Sequence, residues 1–255
     1  MSIELLPALA RIAEQAGREI LRHYHPGVEA RLKGDRTPVT AADDAAEAII
    51  LSALAQLAPD IPAVAEEAVA RGGLPDIDRR SRFFLVDPLD GTREFLAGNG
   101  EFTVNIALIE KTTPVLGVVH LPALGTTYAG GPAGATLAVQ GDRPQAISAR
   151  PKPADGVIVL ASRSHNEGNA LDLYLAEMHV AERIAAGSSL KFCRIAEGLA
   201  DLYPRFGRTM EWDTAAGHAV LAAAGGSVTL IDGAALTYGK PGFANPDFIA
   251  RGRWH

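Results

Sequence analysis

Only one cysteine, Cys193, occurs in the 255 residues, so no disulfide can form within the chain. That scarcity fits a reducing compartment. Its neighbours, Leu190-Lys191-Phe192 before and Arg194-Ile195-Ala196 after, read as helix and predict a buried structural thiol rather than a nucleophile. Basic charge is also in short supply. The 24 Lys and Arg stand against 30 Asp and Glu, a formal net charge of -6. A broad nucleic-acid surface is not expected from that balance. Aromatic residues are only 6% of the chain, while Ala and Gly are plentiful, which predicts close packing through small side chains. No apolar run reaches the ~20 residues that span a bilayer. Met1 leads straight into Ile3-Glu4-Leu5-Leu6-Pro7, without the basic and then apolar segments of a secretory signal. The expected location is cytoplasmic. Peripheral attachment to the inner membrane stays open, although no amphipathic anchor stands out.

What is present supports a folded chain. A hydrophobic content of 47% is enough for a sizeable core in one large domain or two small ones. Ile3, Leu6, Leu9, Ala13, Ala16, Ile20 and Tyr24 recur at helical spacing and predict a first amphipathic helix that Pro26-Gly27 ends. Residues 28–39 are polar and read as an exposed loop. Thr40 can cap a second helix whose first turn holds Asp43 and Asp44. Ala63-Val64-Ala65 reads as a strand leading into Glu66-Glu67. Strands are then expected at 83–86, 103–109, 115–120, 126–129 and 135–139, with short links that suggest antiparallel neighbours. Pro- and Lys-containing residues 150–156 look like a linker. Beyond it strand and helix alternate: strands at 157–160, 180–185, 201–203 and 227–231, helices at 166–178, 188–199 and 213–224, the signature of an α/β unit. The fold class expected is therefore α+β, with an antiparallel half over 1–150 and an α/β half over 151–255.

The richest stretch is Phe83-Phe84-Leu85-Val86-Asp87-Pro88-Leu89-Asp90-Gly91-Thr92. An apolar strand ends in two carboxylates three residues apart, followed by a Gly-Thr turn. Pro88 fixes a backbone angle between them. Gly91 allows a tight turn whose N–H groups can face an anion. Asp43, Glu66 and Asp213 are further acids at strand ends or helix starts. Singly, each has an ordinary explanation as a turn residue, first-turn acid or helix cap. Together in one pocket they would repel strongly and would take up protons or bind cations. An all-oxygen donor set favours Mg²⁺ over zinc, and no His/Cys pattern of zinc spacing is present.

Three motifs in order, Glu66-Glu67, Asp87-Pro88-Leu89-Asp90-Gly91-Thr92 and Trp212-Asp213-Thr214-Ala215-Ala216-Gly217, resemble the inositol monophosphatase-like superfamily. Residues 99–108, Ser162-Arg163-Ser164-His165, 187–193 and 196–207 resemble its bacterial CysQ-type 3′(2′),5′-bisphosphate nucleotidase branch. The resemblance implies a layered αβαβα fold, with the site between the halves, and a lithium-sensitive phosphatase using two or three Mg²⁺ ions. It implies that Glu66, Asp87, the Leu89 carbonyl, Asp90 and Asp213 hold the metals. Asp43, Glu66 and Thr92 would orient the attacking water. Gly91 and Thr92 would hold the scissile phosphate, and His165, Ser188, Lys191, Arg205 and Asp213 the rest of a nucleotide.

The implied reaction is hydrolysis of the 3′-phosphate of adenosine 3′,5′-bisphosphate by metal-activated water, in sulfur metabolism. The 3′-phosphate of 3′-phosphoadenylyl sulfate is a second candidate substrate. Alternatives are an inositol monophosphatase or another sugar or polyol phosphatase, and, more remotely, an inactive metal- or nucleotide-binding protein. An aspartyl-phosphate mechanism is the chemical rival. The partners expected are a small nucleotide and, since relatives are often dimers, a second copy of the chain, with no nucleic acid and no integral membrane segment.

Overall fold

A computed structural model describes residues 2–32, 34, 38–75, 77, 82–163 and 169–254. Helix α1 is Ser2–Arg22 and α2 is Ala41–Leu57. Between them lies the segment read as a loop. It contains a small ladder, β1 (Arg31–Leu32) antiparallel to β2 (Pro38–Val39). Two-residue strands are too short to leave a periodic signal. Thr40 caps α2 with a full capping box. The Thr40 hydroxyl accepts the Ala42 N–H at 3.2 Å, and the Asp43 carboxylate accepts the Thr40 N–H at 2.8 Å. Such caps contribute on the order of 1 kcal/mol.

The first sheet runs in the order β3 (Ala63–Ala65), β4 (Arg82–Asp90), β5 (Thr103–Glu110), β6 (Thr113–Leu121), β7 (Thr126–Gly131), β8 (Gly134–Val139) and β9 (Gln145–Ile147). Strand β3 runs parallel to β4, and the later neighbours are antiparallel. Short helices α3 (Glu66–Ala70) and α4 (Thr92–Leu96) follow β3 and β4. After β9 come β10 (Val157–Ser162), α5 (Asn169–Leu175), β11 (Val180–Ala186), α6 (Leu190–Ala196), β12 (Leu202–Arg205), β13 (Thr209–Met210), α7 (Glu211–Ala223), β14 (Ser227–Leu230), β15 (Ala244–Asn245) and β16 (Phe248–Arg251). The second sheet has the order β11-β10-β12-β16-β14. Its β11, β10 and β12 are parallel, whereas β16 is antiparallel to both flanking strands. The expected α/β half is thus a mixed sheet. The strand at β16 was not expected, because its four residues are flanked by Pro246-Asp247 and Gly252.

Side-chain alternation sorts the layers. On β4 and β5, Phe84, Val86, Val104, Ile106 and Leu108 face α1 and α2, packing with Leu9, Ala13, Ala16, Ala46 and Ile50. Phe83, Leu85, Ala107 and Ile109 face the other way, into a core with α6 and α7. That same core takes Leu160, Tyr203, Phe248 and Ala250 from the second sheet. The outer face of that sheet, Val157, Val159, Leu202 and Ile249, is covered by Leu171 and Leu175 of α5. The layers are therefore α1/α2, sheet, α6/α7, sheet, α5.

Helix α7 lies between two sheets, which explains its small apolar residues: Ala215, Ala216, Ala219 and Val220 are buried. Its approach to the first sheet is backbone-close. A Cβ built on Gly117 would sit 2.3 Å from the Ala216 carbonyl oxygen, and one on Gly130 would sit 2.5 Å from Val220 Cα. Both glycines are there because no side chain fits. The Cys193 thiol is buried inside this core.

Candidate active site

The register of β4 against β5 breaks between Asp87, opposite Asn105, and Asp90, opposite Thr103. Three steps on β4 are matched by two on β5, so β4 carries one extra residue at Pro88-Leu89. On a regular strand residues three apart point to opposite faces. The bulge cancels that parity and brings both carboxylates to one side. The Leu89 N–H closes back on Asp87 Oδ1 at 3.0 Å. Gly91 then takes φ +90, a left-handed angle that glycine adopts without strain, and starts α4.

Three of the predicted acids meet. Glu66, at the start of α3, Asp87 and Asp213, in the first turn of α7, offer carboxylate oxygens within 4.8 Å of one another. They line a cleft of about 200 Å³ with Leu89, Asp90, Gly91 and Thr92. Burial, then the charges of Asp90 and Glu66, push the Asp213 carboxyl well above the ordinary carboxylate value. The Met210 N–H, which donates to Asp213 Oδ2 at 2.8 Å, and Arg205 oppose that rise. Such a site relieves its own repulsion by taking up a proton or by binding a cation. The donors are all oxygen and partly buried, so the cluster could hold a hard metal ion.

Asp90 lines the same cleft but is not one of the three converging acids. Its Oδ2 accepts the Ser189 N–H at 2.7 Å, and lies 3.0 Å from the Ser189 hydroxyl and 3.3 Å from Asn105 Nδ2. Burial raises its carboxyl, while Lys191 and Ser189 pull it down. The Ser189 hydroxyl also lies 2.7 Å from the Asp213 carbonyl, so its one proton is shared between two acid-bearing elements. Sequence reasoning missed Ser189 and Asn105. Their partners are 99 and 15 residues away, and no local pattern encodes such contacts.

Asp43 sits behind the cleft, buried in the α2 cap. The Thr92 hydroxyl donates to Asp43 Oδ1 at 3.4 Å, and lies 3.4 Å from the Leu89 carbonyl. Two residues 49 positions apart are linked in this way.

The cleft is also lined by Ser188, Lys191 and Arg205. Ser188 was expected on the face of a helix. Instead it sits in the turn before α6 with φ +44, because the helix starts only at Leu190. Its hydroxyl is buried and has no hydrogen-bond partner among the described residues. Lys191 is buried and donates to the Ser188 carbonyl at 2.6 Å and the Ala186 carbonyl at 3.2 Å. Its ammonium lies 5.0 Å from the centre of the Tyr203 ring. Arg205 is only 3% exposed and donates to the Arg208 carbonyl at 3.3 Å. His165 lies outside the described residues. Among the described residues no helix is long and apolar enough to cross a membrane.

Comparison with known proteins identifies the family. The profile of the inositol monophosphatase family matches residues 3–253. A 3′(2′),5′-bisphosphate nucleotidase CysQ of Shigella flexneri is 44% identical over 249 residues, covering 96% of this chain and 98% of its own. The protein of the same name from Escherichia coli K12 is 43% identical over 247 residues, with the same coverage. Among solved structures, CysQ from Bacteroides thetaiotaomicron superposes with a TM-score of 0.79 at 34% identity, over 96% of each chain. A Thermotoga maritima IMPase superposes with a TM-score of 0.80 at 25% identity, over 98% of this chain and 92% of its own. With a family profile spanning nearly the whole chain, relatives above 40% identity and the layered architecture in common, this chain belongs to the inositol monophosphatase family.

Proposed function

We propose that this chain is a Mg²⁺-dependent phosphomonoesterase that removes the 3′-phosphate of adenosine 3′,5′-bisphosphate. The observation that carries the reading is one cleft that holds both signs of charge. Glu66, Asp87 and Asp213 converge in it, and Lys191 and Arg205 also line it. The relatives named as 3′(2′),5′-bisphosphate nucleotidases support the choice of substrate. We assign the metal-binding acids mainly to residues 1–150 and the recognition residues to 151–255, with Asp213 crossing over from the second half. The cytoplasm is the compartment this reading implies.

Glu66, Asp87, the Leu89 carbonyl, Asp90 and Asp213 would hold the metal. When bound, Mg²⁺ would supply Lewis acidity that eases loss of a proton from a water, so that hydroxide is available to attack phosphorus near neutral pH. The chain does the positioning. The Thr92 hydroxyl gives its proton to Asp43 and so keeps lone pairs for a water held in the cleft. Asp43 is itself immobilised by the Thr40 N–H and hydroxyl, at 2.8 and 2.7 Å. Glu66 would share the orienting of that water. The Gly91 and Thr92 N–H groups would receive the scissile phosphate.

The second anionic group would meet Arg205, whose planar fork suits phosphate oxygens. The buried Ser188 hydroxyl supports a ligand contact, since a polar group left without a protein partner costs on the order of 1–3 kcal/mol until something fills it. Lys191 enters as a fixed charge that also holds the Ser188 carbonyl. An inositol ring offers no second anionic group to this part of the cleft, so no observation favours inositol phosphate.

Phosphate release should be measured with adenosine 3′,5′-bisphosphate, inositol 1-phosphate and fructose 1,6-bisphosphate, with Mg²⁺ and with chelator. The bisphosphate nucleotide should turn over fastest, and only with the cation. A higher kcat/KM for inositol 1-phosphate, or full activity in chelator, would overturn the assignment.

A further inference from the structure

Glu101 lies outside the acid cluster, at the entrance to β5, yet its side chain reaches into the second half of the chain. The Gly187 N–H donates to Glu101 Oε2 at 2.8 Å. Arg163 Nη2 lies 2.8 and 2.9 Å from the two carboxylate oxygens, and 3.0 Å from the Ala185 carbonyl. One carboxylate therefore ties the residues just after β10 and β11 to the residues just before β5. The contact is also close in the backbone. A Cβ on Gly187 would sit 2.7 Å from Glu94 Cγ and 3.0 Å from the Glu101 carbonyl oxygen. A Cβ on Gly91 would lie 3.3 Å from that oxygen and 3.3 Å from Ser188 Cβ. The Glu101 carbonyl thus abuts both Gly91 and Gly187, where the two turns meet.

That second turn needs holding. Ser188 adopts φ +44, an angle costing a non-glycine residue roughly 1–3 kcal/mol. Lys191 grips its carbonyl from one side, and Asp90 accepts the N–H of the next residue. Glu101 fixes the preceding residue.

We infer that Glu101, braced by Arg163, is a positioning residue that sets the Ser188 hydroxyl against the phosphate-binding turn and so determines affinity for the nucleotide part of the substrate. This rests on the nucleotidase reading above. Glu101 touches neither the acid cluster nor Thr92 through any hydrogen bond described. Its loss should therefore weaken recognition and spare the chemical step. In Glu101→Gln, an amide that keeps its oxygen toward Gly187 turns its NH₂ against the Arg163 guanidinium, donor facing donor.

The test uses the full chain with saturating Mg²⁺. kcat and KM are measured on adenosine 3′,5′-bisphosphate and on 4-nitrophenyl phosphate, which has one phosphate and no ribose. The variants are Glu101→Gln, Ser188→Ala, their combination, and Arg163→Gln. Glu101→Gln should raise KM for the bisphosphate about tenfold, with kcat within about twofold. KM for 4-nitrophenyl phosphate should stay constant. Because Glu101 acts through Ser188, the double variant should be no worse than Ser188→Ala alone.

Equal losses on both esters, or additive effects of Glu101→Gln and Ser188→Ala, would overturn the proposal. Should Glu101→Gln not fold, half-exposed Arg163 decides. Arg163→Gln keeps the Glu101–Gly187 hydrogen bond and should raise KM for the bisphosphate alone by about threefold. No change there overturns the brace. A wild-type enzyme without preference for the bisphosphate over 4-nitrophenyl phosphate refutes the nucleotidase reading itself, and with it any specificity for Glu101 to set. That failure is visible before any variant is made.

Discussion

Replacing Asp213 by Asn should invert the thermal stability order of wild type and variant between chelator and Mg²⁺. The substitution is nearly isosteric, and the amide oxygen can still accept the Met210 N–H that Asp213 accepts at 2.8 Å. What disappears is one of three carboxylates whose oxygens lie within 4.8 Å. At 4.8 Å and an effective dielectric constant of about 20, one pair of charges repels by roughly 3.5 kcal/mol. Arg205 offsets part of this, and proton uptake by Asp213 relieves more. A net gain of about 2 kcal/mol is then expected for the metal-free variant, or roughly 4–8 °C in Tm for a chain of this size. With Mg²⁺ at about a hundred times its Kd, wild type gains about 2.7 kcal/mol by mass action. The variant, short of a ligand, should gain little and should lose turnover. Scanning calorimetry in EDTA and in Mg²⁺, beside a phosphate-release assay, reads both halves. A variant less stable than wild type in EDTA, or one that gains as much from Mg²⁺, would show that these acids do not form a shared cation site.

Three other outcomes follow from the contacts. Ser189→Ala removes the hydroxyl between Asp90 and the Asp213 carbonyl while leaving the Ser189 N–H on Asp90. The Mg²⁺ concentration for half-maximal rate should rise about tenfold or more, as for loss of an outer hydrogen bond to a metal ligand, and an unchanged Mg²⁺ titration would refute it. Burial lowers the His120 imidazole from 6.5 to about 4. The unfolded chain therefore takes up that proton first as pH falls below 6.5. The stability present above that value is lost on the way down, about 2 kcal/mol of it by pH 5. His120→Asn should shrink the difference in urea stability between pH 7 and pH 5, and an identical difference would refute the argument. Gly117→Ala would drive a methyl into the Ala216 carbonyl, at 2.3 Å. It should destabilise the fold by about 3 kcal/mol, visible as a lower urea midpoint, and a midpoint equal to wild type would show that the helix can shift aside.

Much of this architecture is written locally. Thr40 and Asp43 sit three apart at the start of an apolar-periodic segment, and they form the cap they suggest. The apolar runs at 83–86 and 103–109 become central strands because both faces of that sheet are covered. The acids at element ends converge, since strand ends and first helical turns are where a layered fold exposes side chains. The unread part is long-range. Strand β4 runs on through Asp87-Pro88-Leu89 to Asp90, although proline usually ends such a run, because the bulge absorbs it. Helix α6 begins after Ser188 because that residue is held left-handed by groups from Glu101, Lys191 and Asp90. Helix α5 ends at Leu175, three residues before the expected end at 178, and the expected start at 166 lies outside the described residues. The grips on Asp90 from Ser189 and Asn105 depend on two sheets meeting, which no window of sequence records.

Helix α7 meets the first sheet atom to atom at Gly117 and Gly130, with no side chain between to act as a bearing. Such a joint resists sliding, because movement along it forces carbonyls and Cα atoms into one another. The helix that carries Asp213 is in that sense bolted to the sheet that carries Asp87. Any breathing needed to admit a nucleotide or let phosphate leave must then come from the rim of the cleft, while the acid-bearing joint keeps its dimensions through the turnover cycle.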